Sequence, residues 1–410
     1  MDKNIIGSSK INIIAKFFSL GIIFLFQSLL SKYISVEDYS KFSKLLVYGN
    51  YGSLLFSFGL SASLLFFSKN EKDFITNYIN IVFLYTFILI LGIVTCLFID
   101  IDVINKYIFT LSIVLNLITI SLAYYQINHD FIKFAFWGLI QSLLILSIML
   151  IILIRKITIE EIIFIYISIH IIYFVIIVYN IFKTYKDKIY FKINIDIEYI
   201  KYGIKTVFLM IISQFIYISD YLLIDHYLQD IYLSYYFIAM IISKIIFVIA
   251  DTSGHIIYPI LVTNKNDSDN IQHIYEAIYL ISSSIFFIII MIFIIFYIYG
   301  NYIIQFLYTD NYLVAYNPIL MLILGTQGMI IYKLLSRKLA ANNNWRPLYI
   351  SVSIAAINNI FFNFILVPKY GISGAAFSSM ISFWICGGML LFFSKENLFN
   401  YLFFPLREKI

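Results

Sequence analysis

The stretch IVFLYTFILILGIVTCLFI, residues 81–99, runs for nineteen residues without a charge. An α-helix rises about 1.5 Å per residue, so about 20 apolar residues cross the hydrocarbon of a bilayer. The run is continuous rather than alternating, which reads as a spanning helix and not as a strand of a transmembrane barrel. Similar runs recur to the end of the chain. Hydrophobic residues make up 62% of the 410 and charged residues 12%, where an average soluble domain has about 45–50% and about 25%. A globule has too little interior to hide that much apolar surface, so the excess faces lipid.

Apolar windows separated by charge or turn clusters predict an all-α integral membrane protein of about twelve spans. These are 11–31, 43–66, 77–99, 106–126, 133–154, 161–182, 203–225, 235–261, 277–300, 314–334, 348–367 and 372–394. Lysine and arginine set the orientation, because cytoplasmic loops retain them. With a cytoplasmic N-terminus, nineteen fall in inner loops and termini, Lys333 among them, and seven in outer loops. Both termini are therefore expected inside. The net charge of +5 follows from the same bias and is no nucleic-acid signal. The opening MDKNIIGSSK has no cleavage-site pattern, so no removable signal peptide is expected. Cys96 and Cys386 lie in different apolar runs, with no metal or disulfide spacing.

The longest polar connection, the lysine-rich segment 183–202, falls after the sixth span. It suggests a six-helix bundle over 1–184, a basic cytoplasmic linker over 185–202 and a second six-helix bundle over 203–410. Residues 34–42 (ISVEDYSKF) and 228–236 (LQDIYLSYY) share a polar turn, a serine and a following aromatic residue. Each would join the first two helices of its half, which points to parallel repeats, a common transporter plan.

Three segments resemble a known family. ISVEDYSKF followed by FSFGLSASLLFF (56–67) is similar to the first outer hairpin and second helix of Wzx-like polysaccharide flippases, members of the MOP exporter superfamily. Val36 and Ser40 replace that pattern's proline and glycine. SDYLLIDHYL (219–228) resembles the family's aspartate–arginine segment, with Asp220 matching and Tyr221 in the arginine's place. NIFFNFILVPKYGISGAAF (359–377) matches at Asn359, Asn363, Pro368, Gly371, Gly374, Ala375 and Ala376. The hairpin reading also explains why Lys32, Glu37, Asp38, Lys41 and Lys44 crowd into one short stretch: they mark an outer turn. Gly59 and the small residues after it let the second helix pack closely, and Pro368 with Gly371 breaks the chain between the last two spans.

The resemblance implies MATE-like parallel repeats around a central cavity, in a bacterial inner membrane. The implied activity is flipping of undecaprenyl-pyrophosphate-linked oligosaccharide for O-antigen, lipopolysaccharide or capsule, by alternating access as an ion-coupled antiporter. It also implies a polysaccharide polymerase and a chain-length protein as partners, a monomeric chain, and no cofactor beyond a coupling proton or sodium ion.

Polar residues within the spans are the candidate site. Lys16, Gln27, Asn116, Gln214, Lys244 and His255 are expected to line a hydrated cavity and meet sugar or phosphate, and Asp220 and Asp251 to bind the coupling ion. Asp220 and Lys244 lie twelve residues either side of position 232, so they are expected at one depth and able to pair. The competing reading is that such groups only hydrogen-bond across packed helices, which suits the single amides and histidines best. Two other functions stay open. A polymerase or glycosyltransferase would use Asp100 and Asp102, though no loop is large enough for an acceptor domain, and a multidrug exporter would share the fold. No nucleotide-binding loop occurs.

Overall fold

The computed structural model describes residues 3–67, 71–98, 102–128, 130–155, 157–184, 197–263, 268–341 and 344–407. Among these the chain is helical throughout, as lipid requires of a backbone that must satisfy its own hydrogen bonds. The helices are α1 (Lys3–Tyr33), α2 (Val36–Phe56), α3 (Leu60–Phe67), α4 (Glu71–Phe98), α5 (Val103–Ile127), α6 (Phe131–Ile154) and α7 (Ile159–Thr184). They continue with α8 (Ile197–Tyr227), α9 (Ile231–Thr263), α10 (Ser268–Leu307), α11 (Tyr316–Ala341), α12 (Arg346–Ser394) and α13 (Leu398–Arg407), with a short 3-10 helix at Asp310–Ala315. Eight helices among the described residues are long and apolar enough to span a bilayer, and α12 is 49 residues long. Among the described residues the twelve expected spans fall on helix, the second of them interrupted. Large apolar side chains such as Ile154, Phe306 and Phe392 are at least 75% exposed, the outward face of a lipid-embedded protein.

Helix starts follow local chemistry. The Ser35 hydroxyl accepts from the Asp38 amide at 3.0 Å, and Glu37 and Asp38 occupy the first turn of α2, where the helix dipole favours anions. The charged stretch is thus a helix start. Asp130 accepts from the Lys133 amide at 3.1 Å to open α6. Partial burial pushes the Asp130 carboxyl up, and the Lys133 hydrogen bonds and charge outweigh it and hold it below the usual range. Thr158 and Glu161 form a reciprocal capping box before α7.

The chain divides into two compact units, 1–211 and 212–410, the division falling within α8. The lysine-rich residues 185–196 lie outside the described residues. In the first unit α1 packs on α6, α2 on α5, and α5 on α7 and α4, around the buried Tyr78, Tyr85, Trp137 and Tyr173. The expected single span at 43–66 is in fact broken. α2 stops at Phe56, Phe58 and Gly59 take positive φ of 44° and 68°, and α3 begins at Leu60. A break inside the membrane frees carbonyls that need new donors. Tyr85 supplies its hydroxyl to the carbonyls of Phe56 (2.6 Å) and Ser57 (2.9 Å), and Asn116 Nδ2 adds a bond to Phe56 at 3.4 Å. Gly59 makes the close approach its type suggested: a Cβ there would strike the Gly203 carbonyl.

In the second unit α11 packs on α12, α9 and α10, and α13 lies against α10. Small residues bring the first two together: a Cβ on Gly328 would sit 2.5 Å from the Phe383 carbonyl oxygen. The expected break between the last two spans occurs at Gly371, with φ 59° and ψ −140°. Glycine has no β-carbon to oppose that conformation.

Candidate functional site

The most elaborate buried polar cluster of the second unit is built on Asp220, near the end of α8. Gly371 folds the second arm of α12 back on the first, and Gly374 lets the arms touch, since a Cβ there would overlap the backbone of Leu366. Asn363 stands eight residues before the kink and Ser379 eight after it, each about 12 Å along its arm. Both therefore reach one level, and both meet Asp220. Asn363 Nδ2 donates to Asp220 Oδ1 at 2.6 Å and Ser379 Oγ donates to Oδ2 at 2.5 Å. The hydroxyl of Tyr236, from α9, also donates to Oδ2.

A second layer holds these donors. Asn363 Nδ2 is also 3.0 Å from Asn359 Oδ1, which accepts from Ser219 as well. Asn359 Nδ2 donates to Ser379 Oγ at 3.2 Å. Asp220, Tyr236, Asn359, Asn363 and Ser379 are all at most 2% exposed. Asn363 has committed both amide hydrogens, while its Oδ1 is buried without a partner. A charge at the bilayer centre costs about 2.5–3.5 kcal/mol on insertion scales. Hydrogen bonds to a charged group return about 1.5–3 kcal/mol each, so three suffice to hold an ionised Asp220 in place. Tyr221, in the position where the resemblance has arginine, is fully buried with its ring 5.7 Å from that of Tyr236. It packs the wall of the cluster.

The other expected residues scatter. Lys244 is half-buried on α9, its ammonium 5.4 Å from the Tyr217 ring centroid. It feels attraction from Asp220 and repulsion from Lys333. Asp220 and Lys244 are within electrostatic reach, yet they form no ion pair; hydroxyl and amide donors take the carboxylate instead. Gln27 is buried and accepts from Tyr39 at 3.2 Å, joining α1 to α2, while Lys16 is exposed. Asn116 serves the break after α2, and Gln214 is exposed. His170 binds the Tyr166 carbonyl and Gln327 the Ser282 hydroxyl, both as helix-to-helix or local bonds. The side chains of Asp251 and His255, and residue Asp100, lie outside the described residues. Asp102 is exposed at the start of α5 and makes no side-chain cap bond. Among the described residues no cluster of metal-binding side chains occurs.

Sequence reasoning missed Ser379, it had Tyr236 only as the aromatic residue of the repeated hairpin, and it placed Asn359 and Asn363 in a motif without a partner. Their i, i+4 spacing on one apolar helix was the available signal.

Comparison with known proteins follows the same lines. A family model described as polysaccharide biosynthesis protein matches residues 29–317. Among solved structures, the lipid II flippase MurJ in an inward closed conformation aligns over 95% of this chain and 88% of its own, with a TM-score of 0.77 and 20% identity. An inward-facing multidrug-resistance MATE transporter of the MOP superfamily aligns over 93% and 94%, at TM-score 0.68 and 10% identity. An outward-facing one aligns over 95% and 94%, at 0.63 and 11%. No match was found among curated proteins. At these identities the structures speak for the fold, which is the all-α MOP-type architecture expected from the hairpin and the 359–377 motif. The family match extends over well more than half of the sequence, and the chain belongs to the polysaccharide biosynthesis protein family.

Proposed function

We propose that this protein flips undecaprenyl-pyrophosphate-linked oligosaccharide units from the cytoplasmic to the outer leaflet for surface polysaccharide such as O-antigen or capsule. The observation that carries the reading is the match to the polysaccharide biosynthesis family over residues 29–317. The likeness of its fold to a structure described as a lipid II flippase supports it. In this reading the protein is a transporter and performs no covalent chemistry. Its two six-helix halves, 1–184 and 203–410, rock about a basic linker in the inner membrane, with both termini cytoplasmic and a polymerase and chain-length protein downstream.

The Asp220 cluster is the proposed ion-coupling site. A proton on the carboxylate, or a sodium ion shared by Asp220, the free Asn363 Oδ1 and the neighbouring hydroxyl oxygens, would neutralise the buried charge. Neutralisation changes what those donors hold and so biases one conformation over another. Asp251 and the remaining cavity residues Lys16, Gln27, Asn116, Gln214, Lys244 and His255 belong to the same proposal.

The deciding experiment removes the gene and follows lipid-linked repeat units by leaflet-specific labelling. They should collect on the cytoplasmic leaflet while surface glycan disappears. Units that reach the outer leaflet and stay unpolymerised would instead indicate a polymerase. Likeness to multidrug MATE structures favours an exporter as the second reading, which requires raised drug sensitivity with surface glycan intact.

A further inference from the structure

The second arm of α12 ends at Ser394, and the chain turns there through Lys395 in the left-handed region, with φ 56°. Asn397 Oδ1 accepts from the Phe399 amide at 2.9 Å and opens α13. The corner between the two helices is pinned. Glu396 forms an ion pair with Lys338 of α11 and accepts from the Tyr279 hydroxyl of α10 at 2.7 Å. The Lys338 ammonium also lies 3.5 Å from the Tyr275 ring centroid. From this corner α13 lays one face on α10. Tyr401 is fully buried with its ring 5.0 Å from that of Tyr279, and the Phe403 ring lies 5.5 Å from that of Phe286. Among the described residues the other face is open: Leu398 and Phe399 are 41% and 45% exposed. Ten residues of helix reach about 15 Å, half the hydrocarbon thickness, so α13 cannot span.

Two observations say what covers the open face. It continues the lipid-facing surface of α12, since the exposed Phe392 precedes the corner by three residues. Its surroundings are also basic. Lys395 is exposed at the corner, and Gly371 folds α12 so that its first residue, the exposed Arg346, returns to the same end. Arg337 and Lys338 stand in the closing turns of α11, and Arg407 is the last residue of α13. The acidic side chains described at this end are Glu276 and Glu396, and Glu396 is spent on Lys338.

We propose that the open face of α13 is a docking surface for an anionic phospholipid leaflet. Leu398 and Phe399 dip below the headgroups, and the lysine and arginine side chains around them meet the phosphates. A short helix with an apolar face and basic flanks lies in the plane of the interface, and basic groups beside a membrane attract anionic headgroups. The lipid bound here is the resident leaflet and not the cargo, so the inference stands whatever the chain transports.

The test uses the full-length chain without Cys96 and Cys386, with Leu398→Cys carrying a bimane fluorophore, in phosphatidylcholine vesicles. Traces of phosphatidylglycerol or phosphatidylcholine with a nitroxide just below the headgroup serve as probes. Either shallow nitroxide should quench more strongly than one at the acyl-chain end and more strongly than aqueous iodide. The phosphatidylglycerol probe should quench about fivefold more than its phosphatidylcholine counterpart, the enrichment one or two interfacial cations bring. Lys395→Gln with Arg346→Gln should bring that ratio close to one. Raising the salt should do the same in the chain that keeps both residues, which covers a double variant that does not fold. Strongest quenching by iodide overturns the proposal and leaves the face to a soluble partner or a second copy. Strongest quenching by the acyl-chain-end nitroxide overturns it by placing α13 within the hydrocarbon. Equal quenching by the two shallow probes in the unaltered charge background overturns the assignment to anionic lipid.

Discussion

Gly59 and Gly203 meet backbone to backbone, and neither has room for a β-carbon. One on Gly59 would overlap the Gly203 carbonyl, and one on Gly203 would lie 2.6 Å from the Phe58 carbonyl oxygen and 2.9 Å from Ser63 Oγ. The contact is fastened on both sides of the chain, since Ser63 Oγ donates to the Tyr199 carbonyl at 2.7 Å. This is how the short helix after the break is held to the start of α8.

Replacing Gly59 with alanine combines that overlap with a φ of 68°, which costs about 1–3 kcal/mol by itself in a residue with a side chain. The expected result is a Tm lowered by several degrees and reduced membrane abundance, read by fluorescence-detected size exclusion after heating. Alanine at Gly21, where nothing lies within 4 Å of the new atom, is the control and should match wild type.

Tyr85→Phe removes the hydroxyl that serves the Phe56 and Ser57 carbonyls. Leaving a buried acceptor without its donor costs about 1–3 kcal/mol. Asn116→Leu alone should cost less, its bond to Phe56 being 3.4 Å long. Together they should cost more than either alone, measured by thermal melts in detergent. Wild-type stability in Tyr85→Phe would show that water serves the break.

For Asp220→Asn the expected outcome is at least a tenfold loss of transport while abundance falls by less than half, since an amide fills the same space. Ser379→Ala and Asn363→Ala should give smaller losses. Vesicle transport by wild type should respond to an imposed sodium or proton gradient, and by Asp220→Asn it should not. Full activity in Asp220→Asn would remove the cluster from the coupling step.

Orientation is checked with single cysteines in a chain lacking Cys96 and Cys386. Glu198 and Asp310 are both exposed, whereas Tyr312 is fully buried and unsuitable as a probe. An impermeant thiol reagent on intact spheroplasts should label residue 310 and spare residue 198. The opposite pattern inverts the topology.

The spans were legible because membrane thickness imposes a length that hydropathy measures directly. The break after Phe56 was not, because F-S-F-G-L-S-A reads as one apolar window and a kink leaves no gap in it. Gly59 and Gly371 announced close approach or a turn by residue type, and both are at positive φ. Asp220 was found from its cost in lipid, but its partners were hidden. Hydropathy does not fix rotation about a helix axis, and so it could not say that Asn363, Ser379 and Tyr236 point inward, or that Lys244 does not reach the carboxylate. Lys333 was counted with the loop lysines although the expected span 314–334 already held it, and the helix runs on to Ala341.

The kink at Gly371 has a consequence for which changes this chain can bear. Asn363 and Ser379 are equally far from it, and there is no loop to take up slack. A helix turns about 100° per residue, so adding or deleting one apolar residue between positions 372 and 378 would swing Ser379 a quarter-turn or more away from Asp220. Hydropathy, span count and overall fold would be untouched. In this arm of the protein, spacing acts as a reading frame: most single replacements are spelling changes, and a one-residue indel is a frameshift in space.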